Sequence, residues 1–145
     1  MNGLNNLKRN SMEKYFATYN QSLALKELGF DEDCLGRWLA ITEWEKPTGE
    51  IKLQLGVKAE DYDKNQCLAP LKSQVFRWFR EKHNLYHTIH HFEHKKDTPE
   101  EFLSEVSGKL LMGNDDISGF SYHSTYNDAE SACIDKLIEI LQNDK

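Results

Sequence analysis

Long apolar runs are missing from this chain. No stretch approaches the roughly 18 residues that span a bilayer, so neither a membrane-crossing segment nor a membrane partner is expected. The segment Met1–Phe16 carries Lys8, Arg9, Glu13 and Lys14 with no apolar core behind them, which does not fit a secretory signal. Cysteine is scarce too. Cys34, Cys67 and Cys133 are odd in number, far apart and without a C-x-x-C pair, which argues against a disulfide framework and a zinc site. They are expected to be small buried hydrophobes in a reducing, cytoplasmic setting. A G-x-S-x-G elbow and a glycine-rich phosphate loop are also lacking, which removes two common routes to catalysis.

What is present is an ordinary globular composition, 39% hydrophobic and 29% charged, in 145 residues. That length fits one domain and can bury a core without metal or disulfide staples. Residues 1–11 are polar and aperiodic and are expected to form a disordered tail, leaving 12–145 as a single α+β domain. The net charge of −6 is unevenly spread. Between Leu71 and Lys96 six basic residues face two acidic ones, so this segment is +4 and the remainder −10. Five of the six histidines fall inside it.

Helix signals stand at both ends of the chain. Thr18-Tyr19-Asn20-Gln21 is a T-x-x-Q capping box, and Gly29 followed by Phe30 is a left-handed stop with its hydrophobic closure, predicting a helix over Tyr19–Leu28. Pro70 opens a second helix whose apolar stripe is Leu71, Val75, Trp78 and Phe79, with Arg77 and Arg80 pointing away and Asn84 as its end. Thr125 caps a third, with a wide apolar face through Ala129, Cys133, Leu137, Ile140 and Leu141. Between these, Cys34–Trp44 and Ile51–Leu55 alternate as a hairpin around Lys46-Pro47-Thr48-Gly49, and Lys58–Gln66 reads as a charged loop. Leu85–Phe92 and Ser118–Ser124 read as strands. Thr98-Pro99-Glu100-Glu101 reads as the start of a short helix ending before Gly108. The sum predicts an antiparallel sheet of about four strands with three main helices packed on it.

Three stretches, MEKYFATYNQSLALKELGF (12–30), APLKSQVFRWFREKHNLY (69–86) and TYNDAESACIDKLIEI (125–140), resemble a group of small uncharacterised proteins encoded in bacterial genomes and their phages. The resemblance covers a little over a third of the chain and carries no catalytic residue. It implies an accessory protein of mobile-element origin, a class rich in interaction modules.

Three chemistries are open to the residues themselves. His83, His87, His90, His91 and His94 crowd one strand, with His123 available from another. Metal binding would draw on His87, His90, His91, His94 and His123. Same-face residues four apart on a strand lie about 13 Å apart, so such a site needs help from a neighbouring strand. The helix segment VFRWFREK places arginine beside aromatic residues, which suits single-stranded nucleic acid. That reading would use Lys72, Arg77, Arg80, Lys82, Lys95 and Lys96 against the drag of the negative net charge. Protein interaction asks least, with Trp38, Trp44 and Tyr62 as candidate anchors. The sequence therefore favours a non-enzymatic module with an unidentified protein partner and no cofactor. A nucleic-acid-binding protein comes next, and a His-based metal enzyme third.

Overall fold

A computed structural model describes residues 12–56, 67–93, 100–108 and 120–144. The chain divides into two compact units, Met1–Leu71 and Lys72–Lys145. In place of one sheet of about four strands, the described residues form two antiparallel sheets of three, accompanied by three helices.

The first unit contains α1 (Tyr19–Glu27), β1 (Gly36–Glu43), β2 (Lys46–Leu55) and β3 (Cys67–Ala69), the sheet being ordered β2-β1-β3. α1 begins where its cap chemistry requires. Thr18 Oγ1 accepts from the Gln21 amide at 3.1 Å and Gln21 Oε1 accepts from the Thr18 amide at 2.9 Å. It stops at Gly29, whose φ of +99° only glycine adopts without strain, and the Phe30 amide turns back to Leu25 O at 2.9 Å. Phe16, Trp38, Cys67 and Ala69 form the core, with Tyr19, Leu53 and Leu71 against it. The buried indole of Trp38 donates to Ala17 O and Ser22 Oγ, both at 3.2 Å, so its polar edge costs nothing. Trp38 is thus a packing residue, unavailable as an anchor.

The hairpin turn is not at Pro47-Thr48-Gly49. Glu43 pairs with Lys46, so the loop is Trp44-Glu45, both at positive φ (53° and 64°) as a two-residue type I′ turn requires. The proline-glycine segment lies inside β2. Ala40 pairs with Ile51 and Thr42 with Pro47, so Thr48–Glu50 bulges opposite Ile41, with Gly49 at φ +82° and Thr48 Oγ1 donating to Ile41 O at 2.9 Å. The residues suited to a turn make a bulge instead.

The second unit runs α2 (Lys72–His83), β4 (Leu85–Phe92), β5 (Glu101–Gly108), β6 (Ser121–His123) and α3 (Tyr126–Asn143), with sheet order β4-β5-β6. Asn84 at φ 53° turns the chain from α2 into β4. Glu101–Gly108 is a strand, not the short helix expected, and pairs with all of β4 from Leu85↔Gly108 to Phe92↔Glu101. The reason is local. Its inward set is Phe102, Ser104 and Val106, and a serine in the middle hides the period of two. Ser104 is buried because its hydroxyl is bonded, lying 2.7 Å from Ser121 Oγ.

Both helices cover one face of this sheet. Phe76 of α2 stacks on His87 at 3.5 Å between ring centroids, and Tyr126 of α3 meets Phe102 edge-on at 5.9 Å. Val75, Phe79, Leu85, Ala129, Ile134 and Leu137 are wholly buried beneath them. Apart from Ala129, burial of side chains this size stabilises by roughly 1.5–3 kcal/mol each. The expected tail, the loop at 58–66, and Tyr62, His94, Lys95 and Lys96 lie outside the described residues.

Candidate functional site

Both helices sit on one side, and among the described residues of this unit no element covers the other, open side of the second sheet. Antiparallel register fixes which residues it shows. Directly paired residues share a face, so Tyr86, Thr88, His90 and Phe92 of β4 lie with Glu101, Leu103, Glu105 and Ser107 of β5 and Tyr122 of β6. Three aromatic rings stand out on it, Tyr86 at 45%, Phe92 at 43% and Tyr122 at 64% exposure. Phe92 and Tyr122 approach to 6.5 Å between centroids. His90, Leu103 and Tyr122 form one rung across all three strands. Phe92, Leu103 and Tyr122 are therefore adjacent on this face, whereas Tyr86 stands at the other end of β4, roughly 20 Å from Phe92.

Its charge is one-sided. The three strands contain no lysine or arginine, and the carboxylates Glu101 and Glu105 both belong to the open face. Glu105 Oε2 lies 3.1 Å from His90 Nε2. Such a face favours apolar or basic ligand groups and repels phosphate.

The described basic residues proposed for nucleic acid, Lys72, Arg77, Arg80 and Lys82, lie elsewhere. Arg77, Arg80 and Lys82 are on the exposed side of α2, which is itself on the helix-covered side of the sheet. Lys72 is withdrawn. It is only 4% exposed, its ammonium donates to Asn127 Oδ1 at 2.5 Å, and burial lowers its pKa against the opposing pull of Glu130, Asp128 and Asp135. An ammonium held this way ties α2 to α3 and offers no charge to a ligand.

The described histidines do not converge. His87 faces inward on Phe76, and burial, then the positive charge of Arg80, hold its pKa below the ordinary 6.5. His90 faces outward. His91 and His123 flank Phe102 on a single inward rung, two strand spacings or roughly 9–10 Å apart. Among the described residues no three His, Cys, Asp or Glu side chains group closely enough to hold a metal ion.

One polar cluster escaped the sequence reading. His123 Nε2 lies 2.6 Å from Ser121 Oγ, which in turn lies 2.7 Å from Ser104 Oγ. The S-x-H spacing on a strand signals that Ser121 and His123 share a face, but the approach of Ser104 depends on strand pairing. A hydroxyl beside an imidazole is the contact a nucleophile and base make. Here, however, Ser104 is buried to 2% and its hydroxyl is also directed at Ser121 O, so the cluster satisfies polar atoms inside the unit.

The thiols are inert by environment. Burial, assisted by Glu32 and Asp33, pushes Cys34 up to about 12, and burial raises Cys67 and Cys133 each to about 11. Cys34 borders an apolar recess of about 330 Å³ in the first unit, together with Met12, Phe16, Leu35, Leu55 and Leu71. No described helix is long and apolar enough to cross a membrane. Comparison of the chain with known protein families, curated proteins and solved structures gave no match.

Proposed function

We propose that this protein is a non-enzymatic interaction module whose docking surface is the open face of the second sheet, and that its ligand is a protein segment carrying apolar and basic side chains. The observation that carries this reading is the pair of exposed rings Phe92 and Tyr122 around half-buried Leu103, with Tyr86 exposed farther along β4, beside Glu101 and Glu105 and with no lysine or arginine on the same three strands. Aromatic anchors supply most of an interface's energy and flanking carboxylates select its charge. The resemblance to small phage-encoded proteins supports an accessory role in a mobile element and a cytoplasmic place of action.

Co-purification from the host, compared between the wild-type chain and Tyr122→Ser, tests it. Tyr122 is exposed, so its loss leaves the core intact. Affinity for the captured partner is expected to fall at least ~10-fold, which corresponds to about 1.4 kcal/mol. A partner retained equally by both forms refutes the placement of the site.

A second reading has one observation in its favour. Aromatic rings on an open sheet face can stack on unpaired bases. Of the described residues named for phosphate contact, Arg77, Arg80 and Lys82 stand on the helix-covered side, across the unit from the rings. Single-stranded DNA or RNA is therefore expected to show no shift at low salt. A shift that Tyr122→Ser abolishes would move the assignment to nucleic acid.

A further inference from the structure

Four strands form the edges of the two sheets, β2 and β3 in the first and β4 and β6 in the second. An edge strand presents unpaired N–H and C=O groups that invite another strand, and folded chains blunt such edges by shortness, charge, proline or bulges. Three of the four are blunted. β3 and β6 have 3 residues each, and beside β3 Phe16 bridges Leu71 while the Ala17 amide donates to Pro70 O at 2.9 Å. β2 carries Lys46, Pro47 and Lys52 and is broken by the bulge at Thr48–Glu50.

β4 has none of these devices. Its 8 residues, LYHTIHHF, include no lysine, arginine, carboxylate, proline or glycine. Its register with β5 is unbroken from end to end, and among the described residues β5 is its sole strand partner.

We propose that the free edge of β4 pairs antiparallel with β4 of a second copy of this chain, joining the two three-stranded sheets into one. Two arguments select a second copy over a foreign strand. First, the strand bears no formal charge at neutral pH, so nothing in it repels its own copy across a twofold axis. Second, the strand is self-complementary. Residues opposite each other in an antiparallel pair share a face, so a symmetric pairing must centre on a residue rather than between two. Centring on Ile89 pairs Tyr86 through Phe92 with no gap. On the open face it sets Tyr86 against Phe92 of the second copy and Thr88 against His90, and on the helix side His87 against His91. Centring on Thr88 pairs as many residues, Leu85 through His91, but sets Tyr86 against His90 and leaves Phe92 opposite Asn84, which at φ 53° is not extended. The Ile89 register covers both half-exposed rings of β4 with each other, twice over, and aromatic cross-strand pairs are among the favourable ones.

The proposal shares Tyr86 and Phe92 with the docking surface above, and the two are told apart at Tyr122, which lies on β6, two strands from the axis. The test uses the full chain in sedimentation equilibrium over a range of concentrations. Wild type is expected to reach twice its monomer mass of 16.9 kDa. Thr88 is exposed, so Thr88→Lys and Thr88→Glu should fold with native circular dichroism yet remain monomeric, since each places like charges on neighbouring positions about the axis. Mixed in equal amounts they are expected to form a heterodimer, which misfolded variants could not do. Tyr122→Ser should dimerise as wild type does. A wild-type chain that stays monomeric overturns the proposal, as does a Thr88→Lys chain that still dimerises or a mixture that fails to pair.

Discussion

At the scale of single residues, burial decides chemistry more than residue type does. Two basic side chains in the segment richest in positive charge, Lys72 and His87, are turned into the second unit, and for both burial disfavours the charged form. For His87 this has a pH consequence. Its folded pKa lies below the unfolded value of about 6.5, so the unfolded chain binds the proton more readily. The neutral ring's contribution is therefore complete above about pH 6.5 and is lost as pH falls from there through the folded value. Melting temperature is expected to be lower at about pH 5.5 than at about pH 7.5. His87→Phe keeps a ring on Phe76, removes the titration, and should narrow that difference. An equal pH difference in both proteins would exclude His87 as a source.

At the scale of elements, what the residues announce depends on how local the signal is. α1 and α3 were legible to within a residue or so because caps and a 3.6-residue period are written within a few positions: Thr18 with Gln21, and Thr125 accepting from the Asp128 amide. β4 was legible because its histidines do not interrupt a strand-forming run. β5 was not, since Pro99 and Glu100 imitate a helix start and the inward Ser104 gains its reason only from Ser121 on another strand. The hairpin failed for a related cause. Pro47 and Gly49 are stronger turn residues than Trp44 and Glu45, yet the pairing of Glu43 with Lys46 puts the turn on the weaker pair. That leaves room for improvement. Glu45 sits at φ 64°, a region that costs most side chains about 1 kcal/mol or more. Glu45→Gly should stabilise the chain by up to ~1 kcal/mol, read as a higher denaturant midpoint at unchanged slope. A lower midpoint would place the turn elsewhere.

For the molecule as a whole, the α+β class followed from alternating element types, but the division into two sheets did not. Which strands pair is a long-range matter: β1 takes β3 across residues that bear no local mark of it, and β4, β5 and β6 form a meander framed by two helices. The exposed aromatic face was invisible for the same reason, since Phe92, Leu103 and Tyr122 become neighbours only through that pairing. The second unit has its own core, built from α2, the β4–β6 sheet and α3. Residues 72–145 expressed alone are accordingly expected to unfold in one cooperative transition, monitored by far-ultraviolet circular dichroism. A gradual, featureless melt would show that this core is insufficient by itself.

The three indoles are unequally placed: Trp38 is 7% exposed in the first unit, Trp78 is 3% exposed in the second, and Trp44 at the hairpin tip is 90% exposed. Native fluorescence is thus a sum of one red-shifted emitter open to acrylamide and two shielded blue ones. Replacing Trp44 by phenylalanine would leave a single shielded fluorophore in each unit, so that further replacing either one lets the loss of each core be followed by its own light.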